Sequence, residues 1–221
     1  MAALLGIVDK QRGSDVLKVL GRNNSSNVQK VMWCCGELGL KVDRVDIGGP
    51  FGKNKEPEYL ALNPNGLVPT IDDDGFILWE SNAILRYLSA KHGTGTLWPS
   101  DLRQRADADR WMDWQAGVVG PAIFPVFWGL IRTPPEKRDA AAIEAGRVKT
   151  AEVLKIADAN LAKRPYMAGD TLTMGDIPLG IMVYRWFNFA IERPELKNLR
   201  AWYDRLTQRP AFREHVMLPI T

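Results

Sequence analysis

The stretch that most constrains the fold is residues 63–81, which read NPNGLVPTIDDDGFILWES. The Asn-Pro and Asn-Gly pairs at its start are turn signals. Short apolar runs follow, and they predict strands around Val68–Asp72 and Phe76–Trp79, joined by a hairpin turn at Asp73-Asp74-Gly75. A helix is then expected from Ser81 to Lys91. The chain must therefore place a hairpin and the start of a helix side by side.

The polar groups of this stretch suit the capture of a small peptide. Backbone groups beside Pro69 can pair with an extended peptide, as when a ligand adds a strand to a sheet edge. The first turn of the helix at Ser81 offers unpaired N–H groups and the positive end of the helix dipole to a carboxylate. Glu80, just before that helix, can bind an ammonium group. A ligand with an amino-acid head group and a peptide body would satisfy all three.

Composition excludes several classes of protein. Of the 221 residues, 46% are hydrophobic and 25% charged, as in ordinary globular proteins. The net charge of +3 is spread along the chain, without the basic cluster that nucleic-acid binding requires. No apolar run approaches the ~18 residues needed to span a bilayer, so no membrane span is expected. Residues 1–14 are interpreted as a leader that does not resemble a signal peptide, and a cytoplasmic location is expected.

The cysteines and histidines give no sign of a metal site. Cys34 and Cys35 are adjacent, so they form neither a C-x-x-C redox pair nor a four-ligand zinc site. We interpret them as two reduced cysteines within a helix. His92 and His215 are the two histidines, and neither lies in a motif of a metal centre or a Ser-His-Asp hydrolase.

The first half of the chain predicts a small α/β domain. Val16–Gly21 is expected as a strand, followed by a polar loop and by a helix that starts near Asn27 and ends at Gly39. A second strand is expected at Lys41–Ile47, and a short helix at Glu56–Leu62. The helical crossover requires the first two strands to be parallel, while the later hairpin is antiparallel. The expected sheet is therefore mixed and four-stranded.

From Leu102 onward the pattern predicts helices and no strand. A long helix is expected at Leu102–Gly129, disturbed by Pro121 and Pro125, and a second is opened by Pro134-Pro135 and reaches Leu161. A third follows the capping motif at Thr173–Asp176 and reaches Ile191, and a fourth runs from Pro194 through Leu206. The predicted organisation is thus an α/β domain over residues 15–92, a linker over 93–101 and an all-helical domain over 102–221.

Three local motifs, in this order and spacing, resemble those of the cytosolic glutathione transferases. The first is RNNSSNVQKV at residues 22–31, similar to the active-site loop of serine-type bacterial, theta, zeta and nu-like members. The second is NPNGLVP, with Pro69 in the place of the family's cis-proline, running on to Glu80-Ser81. The third is Thr173–Asp176, similar to the buried capping box of the family's helical domain. The likeness extends from Val16 to Phe212 and implies a thioredoxin-like domain followed by a helical one.

The resemblance implies that the loop before the first helix activates the thiol of glutathione. It places Ser25 on the catalytic serine, Ser26 one residue on, and Asn27 on an asparagine that serves some bacterial members. A hydrogen bond to a charged group contributes about 1.5–3 kcal/mol, which equals roughly one to two pKa units. Because a free thiol has a pKa near ~8.5, that is enough to favour the thiolate near neutral pH. The alternative is that these residues only cap the helix.

The same resemblance assigns the glutathione-binding residues. Glu80 and Ser81 would hold the γ-glutamyl head, the backbone of Val68 beside Pro69 would pair with the cysteinyl part, and Lys53 could bind the glycine carboxylate. Lys53 could equally be a solvated loop lysine, and Glu80-Ser81 an ordinary helix start. Glutathione is expected as a co-substrate, without a metal.

An apolar electrophile is expected in a pocket between the two domains. Its expected lining comes from the long helix: Arg110, Trp111, Trp114, Gln115 and Val118. Tryptophans at this spacing can also fill the core. The resemblance implies a homodimer and a transferase that joins glutathione to an electrophilic carbon. Two alternatives remain open, namely a glutathione-dependent disulfide or peroxide reductase and a non-catalytic binding module on the same fold.

Overall fold

The computed structural model describes residues 16–221, so the predicted leader 1–14 lies outside the described residues. The first half folds as an α/β unit in which each element follows its sequence pattern. The elements are β1 (Leu17–Leu20), α1 (Ser26–Leu38), β2 (Val42–Val45), α2 (Pro57–Leu60), β3 (Thr70–Asp73), β4 (Phe76–Trp79) and α3 (Ser81–His92).

The four strands form one mixed sheet in the order β2-β1-β3-β4. Strands β1 and β2 run parallel, with Leu17 opposite Val42, because helix α1 carries the chain back between them. Strand β3 lies antiparallel to both β1 and β4. The predicted mixed four-stranded sheet is confirmed.

The β3–β4 turn forms where the acidic residues predicted it. Asp74 and Gly75 both have positive φ angles, 52° and 88°, as a two-residue hairpin loop requires. The Asp72 carboxylate accepts a hydrogen bond of 2.7 Å from the backbone N–H of Gly75. The Asp73 carboxylate accepts bonds of 2.6 Å from Tyr87 and Lys91 of α3, so the turn also fixes the helix that follows it.

The two cysteines lie in α1, as predicted, and both are free and buried. Burial raises the pKa of the Cys34 thiol to about 12, because a thiolate would have to leave water. Such thiols are unreactive at neutral pH. Gly39 ends the helix in the left-handed conformation, with φ of 65°.

The second half is helical, as predicted. The elements are α4 (Leu102–Trp114), α5 (Gly120–Phe127), α6 (Ala140–Leu161), α7 (Asp176–Asn188), α8 (Lys197–Thr207) and α9 (Pro210–His215). A π-helical segment at Gln115–Val119 joins α4 to α5, and a second at Trp128–Arg132 follows α5. The first π segment directly precedes the Gly120-Pro121 step, and Pro125 lies inside α5, where neither proline can donate a backbone hydrogen bond.

The run Leu102–Arg132 is long and apolar enough to cross a membrane by length and composition alone. The sequence pattern predicted no such run. Leu102–Arg132 packs against α6 and α7 within the helical half. A single helix of this kind is weak evidence for a membrane span.

Two predicted helix starts in this half are wrong. Helix α6 begins at Ala140, because Pro134-Pro135 lead only into a 3₁₀ turn at Pro135–Lys137 and the Asp139 side chain caps the helix through the N–H of Ala142. Helix α8 begins at Lys197, three residues after Pro194. A further short helix, α9, which the pattern did not predict, has Pro210 in its first turn.

The two halves are held together where α1 packs on α7 and α9. Trp33 of α1 is fully buried and meets Phe212 edge to face, with ring centroids 4.8 Å apart. Glu37 accepts two hydrogen bonds from Arg209, of 2.7 and 2.6 Å. Gly180 of α7 allows this approach, because a Cβ there would lie 2.7 Å from the Trp33 ring. The cleft between the halves is therefore held by a packed interface.

Candidate active site

A cleft of about 710 Å³ opens between the starts of α1 and α3 and the helices α4, α5 and α7. Its polar side carries residues from the first half, and its apolar side carries residues from the helical half. The lining residues that matter below are Ser26, Asn27, Lys30, Glu80, Ser81, Asn82, Asp113, Gln115, Ala116, Ile123, Phe124, Phe127, Met182 and Arg185.

The loop before β3 is held in place by side chains that donate hydrogen bonds to its backbone carbonyl groups. Its carbonyl groups are bound at Gly66 by Asn54, over 2.8 Å, and at Leu67 by Tyr59 and Asn63, over 2.6 and 2.9 Å. The Val68–Pro69 peptide bond is cis, as predicted. The backbone N–H and C=O of Val68 make no hydrogen bond with any residue in 16–221. They are therefore available to an extended peptide.

Glu80 adopts a backbone conformation that L-residues avoid, with φ of 73° and ψ of 107°. Such a conformation costs on the order of 1–3 kcal/mol and persists where surrounding structure imposes it, often at functional sites. Glu80 is exposed and lines the cleft, while Ser81 in the next position is buried. The pair thus presents a carboxylate and a helix N-terminus to the same space.

Ser25 precedes α1 in an extended conformation, and its side chain makes no capping hydrogen bond. Its backbone carbonyl instead accepts from the N–H of Gln29 over 2.8 Å. Asn27 is engaged differently, because its Oδ1 accepts a hydrogen bond of 3.3 Å from the Ser81 hydroxyl. Ser26 and Asn27 line the cleft, and Ser25 is the residue directly before them. The start of α1 and the start of α3 therefore meet at one site.

Lys30 is a site residue that the sequence analysis did not identify. Its side chain is buried, and its ammonium lies 3.4 Å from the Ser81 hydroxyl and 3.3 Å from the side-chain Oδ1 of Asn82. Burial lowers the pKa of Lys30 to about 8, although the charge of Glu80 opposes that shift. A lysine among the apolar positions of α1 was the available signal, since buried lysines require a specific role.

The expected lining of the electrophile pocket is only partly brought to the cleft. Gln115 lines it and is buried, with an Oε1 that has no hydrogen-bond partner among the described residues. Trp111 lies in the core, where it meets Trp114 edge to face. Arg110 pairs with Asp107 over 2.5 Å on the surface, and Val118 is 39% exposed. Asp113, Gln115 and Ala116 of this helix line the cleft, and the other four expected residues do not.

Lys53 lies outside this lining. It is exposed in the loop between β2 and α2, where it has a φ of 64°. Its role in binding stays a prediction.

Comparison with known proteins identifies the family. Residues 24–91 match the family description "Glutathione S-transferase, N-terminal domain", and residues 119–210 match "Glutathione S-transferase, C-terminal domain". Glutathione S-transferase GstB of Escherichia coli strain K12 is 43% identical over 208 residues, which cover 93% of this chain and all of the relative. The chain belongs to the glutathione S-transferase family.

Two further relatives support the same assignment. The crystal structure of the theta class glutathione S-transferase from Xanthomonas axonopodis pv. citri, with glutathione bound, superposes with a TM-score of 0.91 at 48% identity and covers 94% of this chain and all of its own. Glutathione S-transferase F13 of Arabidopsis thaliana is 31% identical, covering 89% of this chain and 93% of its own. The family and fold expected from the three motifs are confirmed.

Proposed function

We propose that this glutathione transferase binds glutathione along Val68 and the start of α3, and activates its thiol at the start of α1. The observation that carries the proposal is that one cleft joins Ser26 and Asn27, at the start of α1, to Glu80-Ser81 at the start of α3. The Ser25 hydroxyl donates a hydrogen bond to the thiolate, and the positive end of the α1 dipole adds to its stabilisation. The thiolate then attacks an electrophilic carbon and forms a thioether.

In the proposed complex the γ-glutamyl head group lies at the start of α3. Its carboxylate accepts from the unpaired N–H groups of the first helical turn and from the Ser81 hydroxyl. Its ammonium pairs with the Glu80 carboxylate. Lys30, which holds Ser81 and Asn82 from below, adds positive charge next to the carboxylate. The cysteinyl backbone pairs with Val68 beside Pro69, and Lys53 is a candidate for the glycine carboxylate.

A glutathione-affinity column tests binding directly. The purified protein should be retained and should elute with free glutathione. A protein that folds normally, by circular dichroism, and passes through the column would be a binding module for another partner.

Replacing Glu80 with alanine should weaken glutathione binding about tenfold or more, because the ammonium loses a charged partner worth about 1.5–3 kcal/mol. Isothermal titration with glutathione measures the change. The midpoint of thermal unfolding should move little, because the Glu80 side chain is exposed and makes no hydrogen bond with any residue in 16–221. Glu58→Ala, on the exposed face of α2, is the matched control and should bind glutathione as the parent does. A large loss of stability in Glu80→Ala would indicate a structural role instead.

The resemblance to the family also supports a homodimer, a cytoplasmic location, and a boundary between domains 15–92 and 102–221 with 93–101 as the linker. Light scattering coupled to size-exclusion chromatography should therefore give about twice the 24.8 kDa mass of one chain. A mass of one chain at micromolar concentration would contradict the dimer.

A further inference from the structure

Three arginines meet where Phe127 lines the cleft, and we call them the arginine cluster: Arg22, Arg132 and Arg185. Arg185 lies on α7, is 7% exposed and lines the cleft, with its Cζ 4.4 Å from the centroid of the Phe127 ring. Arg132, at the end of the second π segment, has its Cζ 5.7 Å from the same ring. Arg22, in the loop before α1, interacts electrostatically with both.

No carboxylate neutralises the arginine cluster within residues 16–221. None of its three side chains makes a hydrogen bond or an ion pair there, whereas Arg209 is bound to Glu37 and Arg164 to Asp107. Buried charges are normally paired, because an isolated charge loses its hydration. Arg185, the member of the cluster that lines the cleft, therefore presents a positive charge there that no carboxylate pairs with among residues 16–221.

The mutual repulsion of the cluster is large enough to change its proton affinity. The pKa of Arg185 is lowered to about 10, first by burial and then by the charges of Arg132 and Arg22. The guanidinium still carries its charge at neutral pH. A bound anion would relieve both the burial cost and the repulsion, which gives the cluster a physical reason to prefer an anionic ligand.

Arg22 is held in place by the fold. Its Nε is buried without a partner among the described residues, and its side chain packs on the turn at Gly49. A Cβ at Gly49 would lie 2.6 Å from that Nε, and the φ of 59° at Gly49 also favours glycine. The turn after β2 therefore leaves room for this arginine.

The position of the cluster indicates which substrate it serves. Glutathione, in the site proposed above, occupies the side formed by Val68 and the start of α3. Arg185 comes from the helical half and lines the cleft with the apolar side chains of Phe124, Phe127 and Met182. Arg132, also from the helical half, lies against the same Phe127 ring. We propose that the second substrate is an anionic electrophile, an apolar or aromatic body carrying a carboxylate that binds the arginine cluster. This inference rests on the proposed function.

The reaction can be written for 4-chloro-3-nitrobenzoate. The thiol of glutathione gives its proton to the solvent, and the thiolate sulfur attacks the ring carbon that carries chlorine. A C–S bond forms, the C–Cl bond breaks, and chloride leaves with the bonding electrons. The carboxylate on the opposite side of the ring stays bound to the arginine cluster and takes no part in the bond changes.

The test compares this carboxylate with its neutral partner, 4-chloro-3-nitrobenzamide. For each compound kcat/KM with glutathione is divided by the uncatalysed rate in the same buffer, which removes the difference in intrinsic reactivity. The parent protein should favour the carboxylate by about tenfold or more, the contribution expected of a charged hydrogen bond. Iodoacetate and iodoacetamide form a second pair with a small aliphatic body.

Arg185→Gln should lose most of the preference for the carboxylate, measured as the ratio of the corrected kcat/KM for the acid to that for the amide. Arg132→Gln removes an exposed member of the cluster, so it tests the same point if Arg185→Gln fails to fold. Arg103→Gln, exposed at the start of α4, is the matched control and should keep the parent preference.

Each result supports or overturns the proposal. A preference for the carboxylate in either pair, lost with Arg185 or Arg132, supports it. Reaction with the neutral compounds but without a preference for the anionic ones would overturn it and leave the transferase function intact. A change confined to the KM for glutathione would assign the cluster to glutathione and overturn it too. No reaction with any of the four compounds, in a protein that still binds glutathione, would overturn both proposals.

Discussion

Replacing Ser25 with alanine will lower turnover at neutral pH by about ten- to a hundredfold, and raise the pH at which bound glutathione becomes a thiolate by about one to two units. The hydroxyl is available for this role, because the Ser25 side chain makes no capping hydrogen bond to α1. Helix α1 supplies the remaining stabilisation through its dipole. Alanine keeps the helix and its dipole, so the loss would report on the hydroxyl alone.

The direction of the pH effect follows from which form the hydroxyl stabilises. A donor to the sulfur lowers the pKa of the bound thiol, because it binds the thiolate better than the thiol. Without the donor the pKa rises, so activity lost at pH 7 should return as the pH increases. Ultraviolet absorption of the thiolate in the binary complex, followed against pH, measures the shift independently of turnover.

Two neighbouring variants provide the comparison. Ser26→Ala removes a hydroxyl one residue further into α1, and Asn27→Ala removes the acceptor of the Ser81 hydroxyl. If Ser25 is the thiol donor, the thiolate titration should move most in Ser25→Ala. A larger shift in Asn27→Ala would assign the sulfur to Asn27, and an unchanged titration in all three would leave the backbone N–H groups of α1 as its donors.

The parts of the fold that sequence predicted well are those set by local backbone chemistry. The hairpin formed at Asp73–Gly75 because those residues tolerate positive φ, and α1 ended at Gly39 for the same reason. Proline residues predicted the starts of helices less well. Pro134-Pro135 can open a helix, but they can equally form a 3₁₀ turn, and the Asp139 side chain decided where α6 begins.

The candidate site likewise has residues that a local sequence motif predicts and residues that it does not. Val68, Pro69, Glu80 and Ser81 are close in sequence, so one local motif was enough to predict both the cis peptide bond and the start of α3. Arg185 reaches the cleft from a helix more than a hundred residues away, and whether a side chain of α7 faces the core or the cleft depends on packing against the other half. The signal available was an arginine within the apolar run IPLGIMVYRWF.

The pocket lining depends on packing as well as on helix phase. A regular helix from Leu102 would keep a period of 3.6 residues, so Trp111, Trp114 and Val118 would lie on a common face. The π-helical segment at Gln115–Val119 inserts extra backbone before Val118 and so rotates that residue away from the two tryptophans. Trp111 precedes the segment and is buried in the core, while Gln115 lines the cleft.

Replacing Asp176 with asparagine should destabilise the helical half by about 2–4 kcal/mol. The fully buried Asp176 carboxylate accepts four hydrogen bonds: from the N–H of Met167 over 2.8 Å, the N–H and hydroxyl of Thr173 over 2.9 and 3.1 Å, and Nε1 of Trp202 over 2.9 Å. Asparagine has one oxygen, so its amide N–H groups would face donors. At least one backbone N–H would lose its partner at a cost of about 1–3 kcal/mol.

The midpoint of thermal unfolding should fall by about 5–15 °C, since 1 kcal/mol corresponds to roughly 2–4 °C in a chain of this size. Asp139→Asn is the matched control, because Asp139 caps α6 at the surface with one acceptor oxygen and asparagine caps as well as aspartate does. Its midpoint should stay close to that of the parent. Equal midpoints for the two variants would show that the four hydrogen bonds of Asp176 do not stabilise the fold. The midpoints of the two variants should differ because the substitution replaces one carboxylate oxygen in each. At Asp139 the replaced oxygen is exposed to solvent, whereas at Asp176 it is a buried acceptor of hydrogen bonds.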